Sequence, residues 1–455
     1  MTAFAWTAHL VTEALGLPLA AWDHAYTGVS TDTRTLKDGE LFVALKGEKF
    51  DAHDYLSDAR LAGVGAVIVR EGTPRWPGFD WFEVKDTLVA LGQLARLRRA
   101  KFPGTVVAVT GTNGKTSTKE MIAAALGVTR KVHKSERNLN NLVGVPLTVL
   151  AAPLEAEAMV VECGASVRGE LGRMREIVRP DVAVVTNVGA AHVEGFGSLL
   201  AVLEEKVSLL KDAKIAVVGT EPDALPEAAR QAAEKVVTAA IDGPADWTAE
   251  SVTMSADGRA SFKVRGIKVD LPMRGRHMVA NALIALAAAD AAGVKLERAA
   301  QGIARTSIPG GRAELMEMDG VTVINDSYNS NPGSLRAALD LLGTLRGARR
   351  TVVVVGTMRE LGAESERLHR EAAEAVLAAK PDVVAAVGEF VSAFESLKIG
   401  TGLEIAVAQD ADAIAPKLKD LIRSGDVVLL KASRGVTLEK VIPVVWPNFQ
   451  RVEAH

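Results

Sequence analysis

The chain of 455 residues has a single cysteine, few aromatic residues and no excess of basic side chains. The lone Cys163 excludes an internal disulfide framework and fits a reducing compartment. Lysine and arginine number 53 against 56 acidic residues, and the net charge of -3 gives no reason to expect nucleic acid as a partner. We therefore expect any site for an anion to be local.

The sequence also lacks an 18-residue apolar run, and residues 1–14 lack the basic start of a signal peptide. These two absences predict a cytoplasmic protein without membrane insertion. Apolar residues make up 48% of the chain, which is enough for sizeable cores, and the length predicts roughly three domains.

The alternation of strand-like and helix-like segments predicts an α/β protein. We predict a small α/β substrate domain over residues 1–100, a central doubly wound parallel sheet over 101–310 and a Rossmann-like domain over 311–455. The boundaries lie at Lys-Phe-Pro-Gly, residues 101–104, and at Ser-Ile-Pro-Gly-Gly, residues 307–311. The expected strands are 41–44, 66–69, 106–109, 159–162, 182–186, 215–218, 321–324, 351–355, 383–387 and 427–430. The expected helices include 54–62, 87–100, 119–126, 282–292, 334–345 and 365–379.

The most informative segment, residues 106–118, predicts a buried strand, a glycine-rich turn and a helix start. Such a turn directs backbone N–H groups and a helix N-terminus at one point, which suits the phosphates of Mg-ATP or Mg-GTP. Lys115 would supply a charge for the outer phosphates, and the Thr116 hydroxyl could bind magnesium. Val109 replaces a glycine of the general pattern, so this is a shortened G-x-x-G-K-T loop that a chance turn could also produce. The candidate nucleotide-binding residues here are Gly111, Thr112, Asn113, Gly114, Lys115, Thr116 and Ser117.

Three further candidates lie at or beyond the expected central strands. Glu162 ends a strand at the carboxyl edge, where a carboxylate usually binds magnesium, although a solvated acid is an equal alternative. His192 follows the next strand, where the pattern alone favours a structural histidine. Lys206 follows two glutamates on a helix, and the charge pattern alone favours a solvated surface lysine.

Polar residues also cluster in the first and third blocks. The hydroxyls and arginine of residues 30–34 and the Lys-Gly turn within 45–53 could bind a second phosphorylated ligand, although turns are ordinarily rich in such residues. The amides of residues 138–141 could recognise a peptide or phosphate, or could be simple turn residues. Arg312 and Asp326 lie at the edge of the third block and could reach a transferred phosphate when domains close.

Together these motifs resemble those of the Mur ligases over nearly the whole chain. The Phe-Asp-Ala-His and Asp-Ser-Tyr-Asn segments favour the type that adds a dipeptide to a UDP-linked tripeptide. The resemblance rests on motifs, in the family's order and spacing, at residues 32–34, 41–47, 50–54, 110–116, 138–146, 191–198, 277, 281, 325–332 and 360–365.

The resemblance implies an ATP-dependent amide ligase that joins D-alanyl-D-alanine to UDP-N-acetylmuramoyl-tripeptide through an acyl phosphate, in cytoplasmic peptidoglycan synthesis for cell wall growth and division. A carboxylate that attacks ATP meets like-charge repulsion, which magnesium ions and cations must neutralise. The implied catalytic residues are Lys115, Glu162, His192, Lys206, Arg312 and Asp326.

The family also implies specific ligands. Two magnesium ions would be bound by Thr116, Glu162, His192 and Lys206, the last as a carbamate. Asn281 would contact adenine. Arg312 and Asp326 would reach ATP from the third domain. The family also implies a monomer. The implied substrate-binding residues are Ser30, Thr31, Asp32, Arg34, Lys46, Gly47, Asp51, His53, Asn138, Asn140, Asn141, Ser327, Tyr328, Asn329 and Asn331.

Two residues depart from the family pattern, and three alternative functions stay open. Cys163 and Thr357 occupy positions where the family more often has a small or apolar residue and an aspartate. The sister ligase that adds the third amino acid lacks support, because no Asp-Asn-Pro-Arg segment occurs. A folylpolyglutamate synthetase leaves the first domain unexplained. A P-loop switch ATPase would need a partner surface, and its usual strand-end aspartate is Glu162 here.

Overall fold

The computed structural model describes residues 4–191, 193–397, 400 and 402–448. Within these ranges, three large sheets of four, seven and six strands follow one another along the chain, and two smaller antiparallel sheets accompany them. This arrangement matches the predicted α/β organisation in three domains.

The N-terminal sheet consists of four parallel strands in chain order, β3-β4-β5-β6, and a separate antiparallel pair, β1-β2, precedes it. Its central strands are buried on both faces, and they read as continuous apolar runs for that reason. The elements are β1 (Trp6–Thr7), α1 (Ala8–Leu15), β2 (Ala25–Tyr26), β3 (Val29–Ser30), β4 (Leu41–Val43), a 3-10 helix (Ala52–Tyr55), α2 (Leu56–Leu61), β5 (Ala66–Arg70), β6 (Asp80–Val84) and α3 (Thr87–Ala100).

The central sheet is entirely parallel, with the strand order β13-β12-β11-β10-β7-β9-β8. Its elements are β7 (Thr105–Thr110), α4 (Lys115–Gly127), β8 (Val132–Lys134), α5 (Gly144–Leu150), β9 (Ala158–Glu162), α6 (Glu170–Val178), β10 (Val182–Val185), α7 (Val193–Phe196), α8 (Leu199–Ser208), β11 (Ile215–Gly219), α9 (Ala224–Ala232), β12 (Val236–Ala240) and β13 (Trp247–Thr248). The order reverses beside β7, and ligands bind at such a switch point in open α/β sheets.

An antiparallel meander and two helices complete this domain: β14 (Glu250–Met254), β15 (Arg259–Val264), β16 (Ile267–Arg274), α10 (His277–Ala291) and α11 (Leu296–Ile303). Helices α10 and α11 pack on α4, which is therefore buried around most of its circumference. The meander was not predicted from the sequence, because its strands interrupt the strand-helix alternation on which the domain prediction relied.

The C-terminal sheet has the order β17-β18-β22-β19-β20-β21 and is parallel except for the β17-β18 hairpin. Apolar cores cover both of its faces. The elements are β17 (Glu314–Met318), β18 (Val321–Asn325), α12 (Pro332–Arg346), β19 (Thr351–Gly356), α13 (Ser365–Ala378), β20 (Val383–Val387), α14 (Glu389–Glu395), β21 (Glu404–Ala408), α15 (Ala411–Leu421), β22 (Val427–Lys431) and α16 (Val441–Val445), with 3-10 turns at Gly362–Glu364, Arg434–Val436 and Leu438–Lys440.

The first domain boundary is bridged by α3. This helix packs on α1 of the N-terminal domain and also on α5 and α6 of the central domain. The predicted boundaries at residues 100 and 310 stay predictions. None of the helices in the described ranges combines the length and apolar character that a bilayer crossing requires.

Candidate active site

The phosphate loop connects β7 to α4, as the sequence predicted. Gly111 and Gly114 have φ angles of 146° and 78°. A Cβ atom at Gly111 would collide with the side chain of Thr186, and one at Gly114 would collide with that of Asn281. Both the backbone conformation and the available space therefore require glycine.

The loop is fastened to the segment that follows β10. The Thr112 N–H donates to the Asn187 carbonyl at 2.9 Å, and the Thr112 hydroxyl accepts from the Gly189 N–H at 2.9 Å. The Asn113 N–H donates to Asn187 Oδ1 at 2.9 Å, and its carbonyl accepts from Thr186 Oγ1 at 2.5 Å. Since these two N–H groups are taken, a phosphate would bind N–H groups that follow them, such as those of the first turn of α4.

Lys115 places its ammonium over the loop, 2.8 Å from the Gly111 carbonyl and 3.0 Å from the Thr112 carbonyl. Burial lowers the pKa of Lys115, the charge of Glu162 opposes that change, and the charge of Arg312 adds to it. The charges of Glu162 and Arg312 therefore both act on Lys115, although Arg312 belongs to the C-terminal domain.

Glu162 ends β9 with its side chain buried, only 3% exposed. Its Oε1 accepts a hydrogen bond from Asn140 Nδ2 at 2.9 Å, and its N–H donates to Ser135 Oγ at 3.0 Å. The other carboxylate oxygen, Oε2, is buried and has no hydrogen-bond partner among the described residues. A buried carboxylate oxygen without a partner is costly, so this geometry favours a cation ligand over the solvated acid that the sequence left open.

Lys206 lies on α8 and is only 1% exposed. The interpretation of Lys206 as a solvated surface lysine is therefore wrong, because α8 packs on α6 and α7 and encloses this face. Burial lowers the pKa of Lys206 to about 7, and the charge of Lys115 adds to the effect. Its Nζ lies 5.6 Å from the centre of the Phe196 ring, and no described carboxylate forms an ion pair with it. The neighbouring Glu205 instead accepts two backbone N–H groups at the start of α6, both at 2.8 Å.

His192 lies outside the described residues, and its metal-binding role stays a prediction. The segment after it approaches the C-terminal domain. The Glu194 N–H donates to the Glu360 carbonyl at 3.4 Å, and Gly362 packs against the backbone of Glu194.

The C-terminal domain presents cations and a carboxylate to this region. The Arg312 guanidinium lies 3.9 Å from the centre of the Tyr328 ring, and that of Arg434 lies 5.9 Å from it. Asp326 forms an ion pair with Lys431 at 2.7 Å, and Lys431 is 2% exposed. Lys431 was not among the residues predicted from the sequence, although a lysine that ends the buried apolar strand β22 is itself a signal of a functional or paired position.

The N-terminal polar residues pair mainly with one another. The side chain of Arg34 donates two hydrogen bonds to Asp32, at 2.8 and 2.6 Å, and is 85% exposed.

Asp51 accepts from the His53 N–H at 3.1 Å and from His53 Nδ1 at 2.5 Å. Lys46 Nζ lies 3.8 Å from Asp51, with Gly47 in the turn between them. Ser30 ends β3 and Thr31 follows it.

Beside this cluster lies a cavity of about 330 Å³, with Asp51, His53, Arg70 and Trp76 among its walls. The His53 Nε2 accepts the Arg70 N–H at 3.0 Å, so both ring nitrogens of His53 serve the local fold. The indole of Trp76 is 40% exposed. The cavity could therefore bind a planar group beside a polar rim.

Several predicted binding residues also have structural partners. Asn141 Oδ1 accepts the N–H groups of Val143 and Gly144, at 3.1 and 2.8 Å, and so stabilises the turn that leads into α5. The Asn138 carbonyl accepts the Asn140 N–H, and the Asn329 carbonyl accepts Lys431 Nζ.

Two further predicted residues are buried. Asn281 on α10 is 5% exposed and lies against Gly114, directly below the phosphate loop. The hydroxyl of Ser327 donates to Asn325 Oδ1 at 2.6 Å, and Ser327 is 2% exposed. Asn281 is thus placed beside the nucleotide loop, whereas Ser327 stabilises its own turn.

Among the described residues, no three histidine, cysteine, aspartate or glutamate side chains converge into a metal-binding group. Magnesium commonly uses one or two protein ligands and completes its shell with water and substrate phosphates. The Glu162 oxygen without a described partner and the hydroxyl of Thr116, in the first turn of α4, fit that sparse pattern.

Comparison with known proteins places this architecture in a family. The Mur ligase middle domain matches residues 109–289, and the Mur ligase glutamate ligase domain matches residues 311–434. The UDP-N-acetylmuramoyl-tripeptide--D-alanyl-D-alanine ligase of Bacillus subtilis is 37% identical over 91% of this chain and 92% of its own length. The enzyme of that name from Escherichia coli is also 37% identical, over 96% and 98% of the two chains.

Solved structures also resemble this chain over most of its length. A MurF crystal structure from Acinetobacter baumannii superposes with a TM-score of 0.89 at 29% identity, covering 98% of this chain and 100% of the other. MurF from Thermotoga maritima, solved in complex with ADP, superposes at 0.81 and 29% identity over 92% and 97% of the two chains. The chain belongs to the Mur ligase family, and the predicted α/β fold is confirmed.

Proposed function

We propose that this protein is the Mur ligase that joins D-alanyl-D-alanine to UDP-N-acetylmuramoyl-tripeptide, a step of peptidoglycan synthesis in the cytoplasm. One observation carries the proposal. Lys115, the buried Lys206 and an oxygen of Glu162 that has no described partner lie together beside a phosphate loop, in a chain that resembles ligases of this name over more than nine-tenths of its length.

The nucleotide we assign is ATP. Lys115 and the first N–H groups of α4 would hold the outer phosphates, and Asn281 would lie at the adenine end. Arg312 and Asp326 would reach the phosphates from the C-terminal domain. The effect of Arg312 on the pKa of Lys115 supports this proximity, and the ADP bound to the Thermotoga relative supports the nucleotide class.

Magnesium ions would be held by Thr116, Glu162 and His192, with Lys206 as a further ligand once modified. The metal would neutralise charge on the triphosphate during attack by the peptide carboxylate. The protein residues then have two tasks. They hold the carboxylate in line with the γ-phosphorus, and they keep cations near the oxygens on which charge develops.

Lys206 would act as a carbamate. Its neutral amine would attack the carbon of CO2, a new N–C bond would form, and one amine proton would be released, which leaves an anionic –NH–COO⁻ group. A pKa of about 7 leaves a large fraction of this amine neutral near pH 7, as the reaction requires. The modification also replaces a buried ammonium that has no ion-pair partner among the described residues by a metal ligand, which removes an unfavourable charge.

The exposed Arg34 and the cavity beside His53 would hold the UDP portion of the acceptor in the N-terminal domain. The terminal carboxylate of the tripeptide would attack the γ-phosphorus and yield an acyl phosphate and ADP. The D-alanyl-D-alanine amine would then attack the acyl carbon and release phosphate. We propose that one chain carries out both steps as a monomer.

An ADP-release assay tests the proposal, with UDP-linked tripeptides that differ at the third residue, each with and without D-alanyl-D-alanine. We expect turnover to require both acceptor and dipeptide. Steady ATP hydrolysis without either substrate would contradict the ligase and favour a P-loop switch ATPase.

A further inference from the structure

Two asparagines join the phosphate loop to the C-terminal domain. Asn331 Nδ2 donates to Asn113 Oδ1 at 2.7 Å, and Asn113 Nδ2 donates to Asn331 Oδ1 at 3.2 Å. Asn331 is 6% exposed, and the Cα of Gly333 on α12 packs against the Asn113 amide. Two partly buried hydrogen bonds thus cross the domain boundary at the loop that would hold the phosphates.

The remaining bonds of both residues define their orientation and role. Asn331 Oδ1 also accepts the Ser334 N–H at 2.9 Å as the N-cap of α12, which fixes the identity of that oxygen. The Asn113 backbone is taken by Thr186 and Asn187 of the central domain. Asn113 is therefore bound to the central domain through its backbone and to the C-terminal domain through its side chain.

Hydrogen bonds and an ion pair connect the turn before Asn331 to the residues that would act on ATP. Lys431 Nζ bonds to Asp326 Oδ2 at 2.7 Å and to the Asn329 carbonyl at 2.6 Å, which ties both ends of this turn to β22. Asp326 Oδ1 accepts the N–H of the residue after Arg312 at 3.0 Å. A shift of Asn331 against the phosphate loop would therefore shift Asp326 and Arg312 as well.

We propose that the Asn113–Asn331 amide pair is a clasp that sets the position of Arg312 and Asp326 relative to the bound nucleotide. Both asparagines are then positioning residues, and Asn113 is not a phosphate ligand. The inference rests on the proposed function for its nucleotide site. Since small misplacements of reacting groups cost large factors in rate, we expect the clasp to affect turnover more than substrate affinity.

Asn331→Ser tests the clasp, because serine keeps an N-cap acceptor for α12 but loses both amide bonds to Asn113. We expect kcat to fall roughly 10- to 100-fold, with KM for the UDP-tripeptide and the unfolding temperature nearly unchanged. Asn113→Ala should give a similar loss, and the double variant should lose no more than either single variant.

Ser334→Ala is the matched control, because it removes a capping hydroxyl and leaves the amide pair in place. Its kcat should stay within about twofold of the parent chain. Wild-type kcat in Asn331→Ser, or a double-variant loss equal to the product of the single losses, would overturn the clasp.

A distance measurement tests the clasp independently of the ligase assignment. Spin labels on Glu227→Cys in α9 and Asp420→Cys in α15 report the two domains, and the native Cys163 is buried. With magnesium and β,γ-methylene ATP, the labelled parent should give one narrow distance distribution, and the added Asn331→Ser change should broaden it. Equal widths would contradict the clasp even if the ligase assay succeeds, and broadening would support it even if that assay fails.

Discussion

The N-terminal polar cluster and the phosphate-loop region contain the same kinds of charged side chains under opposite conditions. In the former, Arg34 and Asp32 pair with each other at the surface, and water screens both charges. In the latter, Lys206 and one oxygen of Glu162 are buried without a described partner. A surface pair needs no further ligand, whereas a buried unpaired charge requires one or a change of protonation.

The largest expected effect is that of Lys115→Ala, which removes the charge beside the phosphates. Ligation should fall by roughly 10³-fold or more, because no other described lysine lies on the loop. ADP release with both acceptor and dipeptide measures this loss. Lys211→Ala, an exposed lysine after α8, is the control and should retain activity. Substantial turnover by Lys115→Ala would contradict the phosphate assignment.

Lys206→Ala tests the buried lysine on α8. We expect a loss of roughly 10²-fold, with partial recovery on addition of acetate or formate, whose carboxylates can replace the carbamate. The measurement is the rate of ADP release against carboxylate concentration. Full activity of the variant without any added carboxylate would remove the carbamate from the mechanism.

Local patterns in the sequence predict the regular elements of the fold. Strand and helix periodicity placed α3 and the strands β7, β9, β10, β18, β19, β20 and β22 within a residue or two of their bounds, because these elements are regularly patterned. The C-terminal strands β17 and β21 were not predicted. The antiparallel meander from Glu250 to Arg274 was not predicted, since its strands interrupt the strand-helix alternation on which the domain prediction relied.

Only part of the site could be predicted, because some of its contacts are local in the chain and others join distant elements. Gly111, Gly114 and Lys115 form a local motif whose geometry follows from neighbouring residues. The burial of Lys206 and the pairing of Lys431 with Asp326 depend on elements that are distant in the chain. The charge pattern alone therefore predicted wrongly that Lys206 lies at the surface. Only the resemblance to the Mur ligases identified it as a candidate site residue.

The pKa of Lys206 predicts a pH dependence of stability. The folded pKa is about 7, against an ordinary value of 10.5, so the unfolded chain binds the proton more tightly. The cost of burying the ammonium is fully present below pH 7 and shrinks as the pH rises towards 10.5. In CO2-free buffer, Lys206→Met should unfold several degrees higher than the parent at pH 6, with a smaller gap at pH 9. Lys214→Met, at an exposed lysine paired with Asp181, should show no such trend between these pH values.

The smallest effect should come from Arg34→Ala in the solvated cluster. Since exposed ion pairs contribute little to stability, the unfolding temperature should stay unchanged. If Arg34 binds the UDP portion, KM for the UDP-tripeptide should rise about fivefold while kcat is kept, because the loss affects binding rather than transfer. Arg367→Ala in the C-terminal domain breaks a similar exposed pair and should leave KM unchanged. An unaltered KM in Arg34→Ala would mean that the Arg34–Asp32 pair only shapes the surface, which would sharpen the contrast between the two regions.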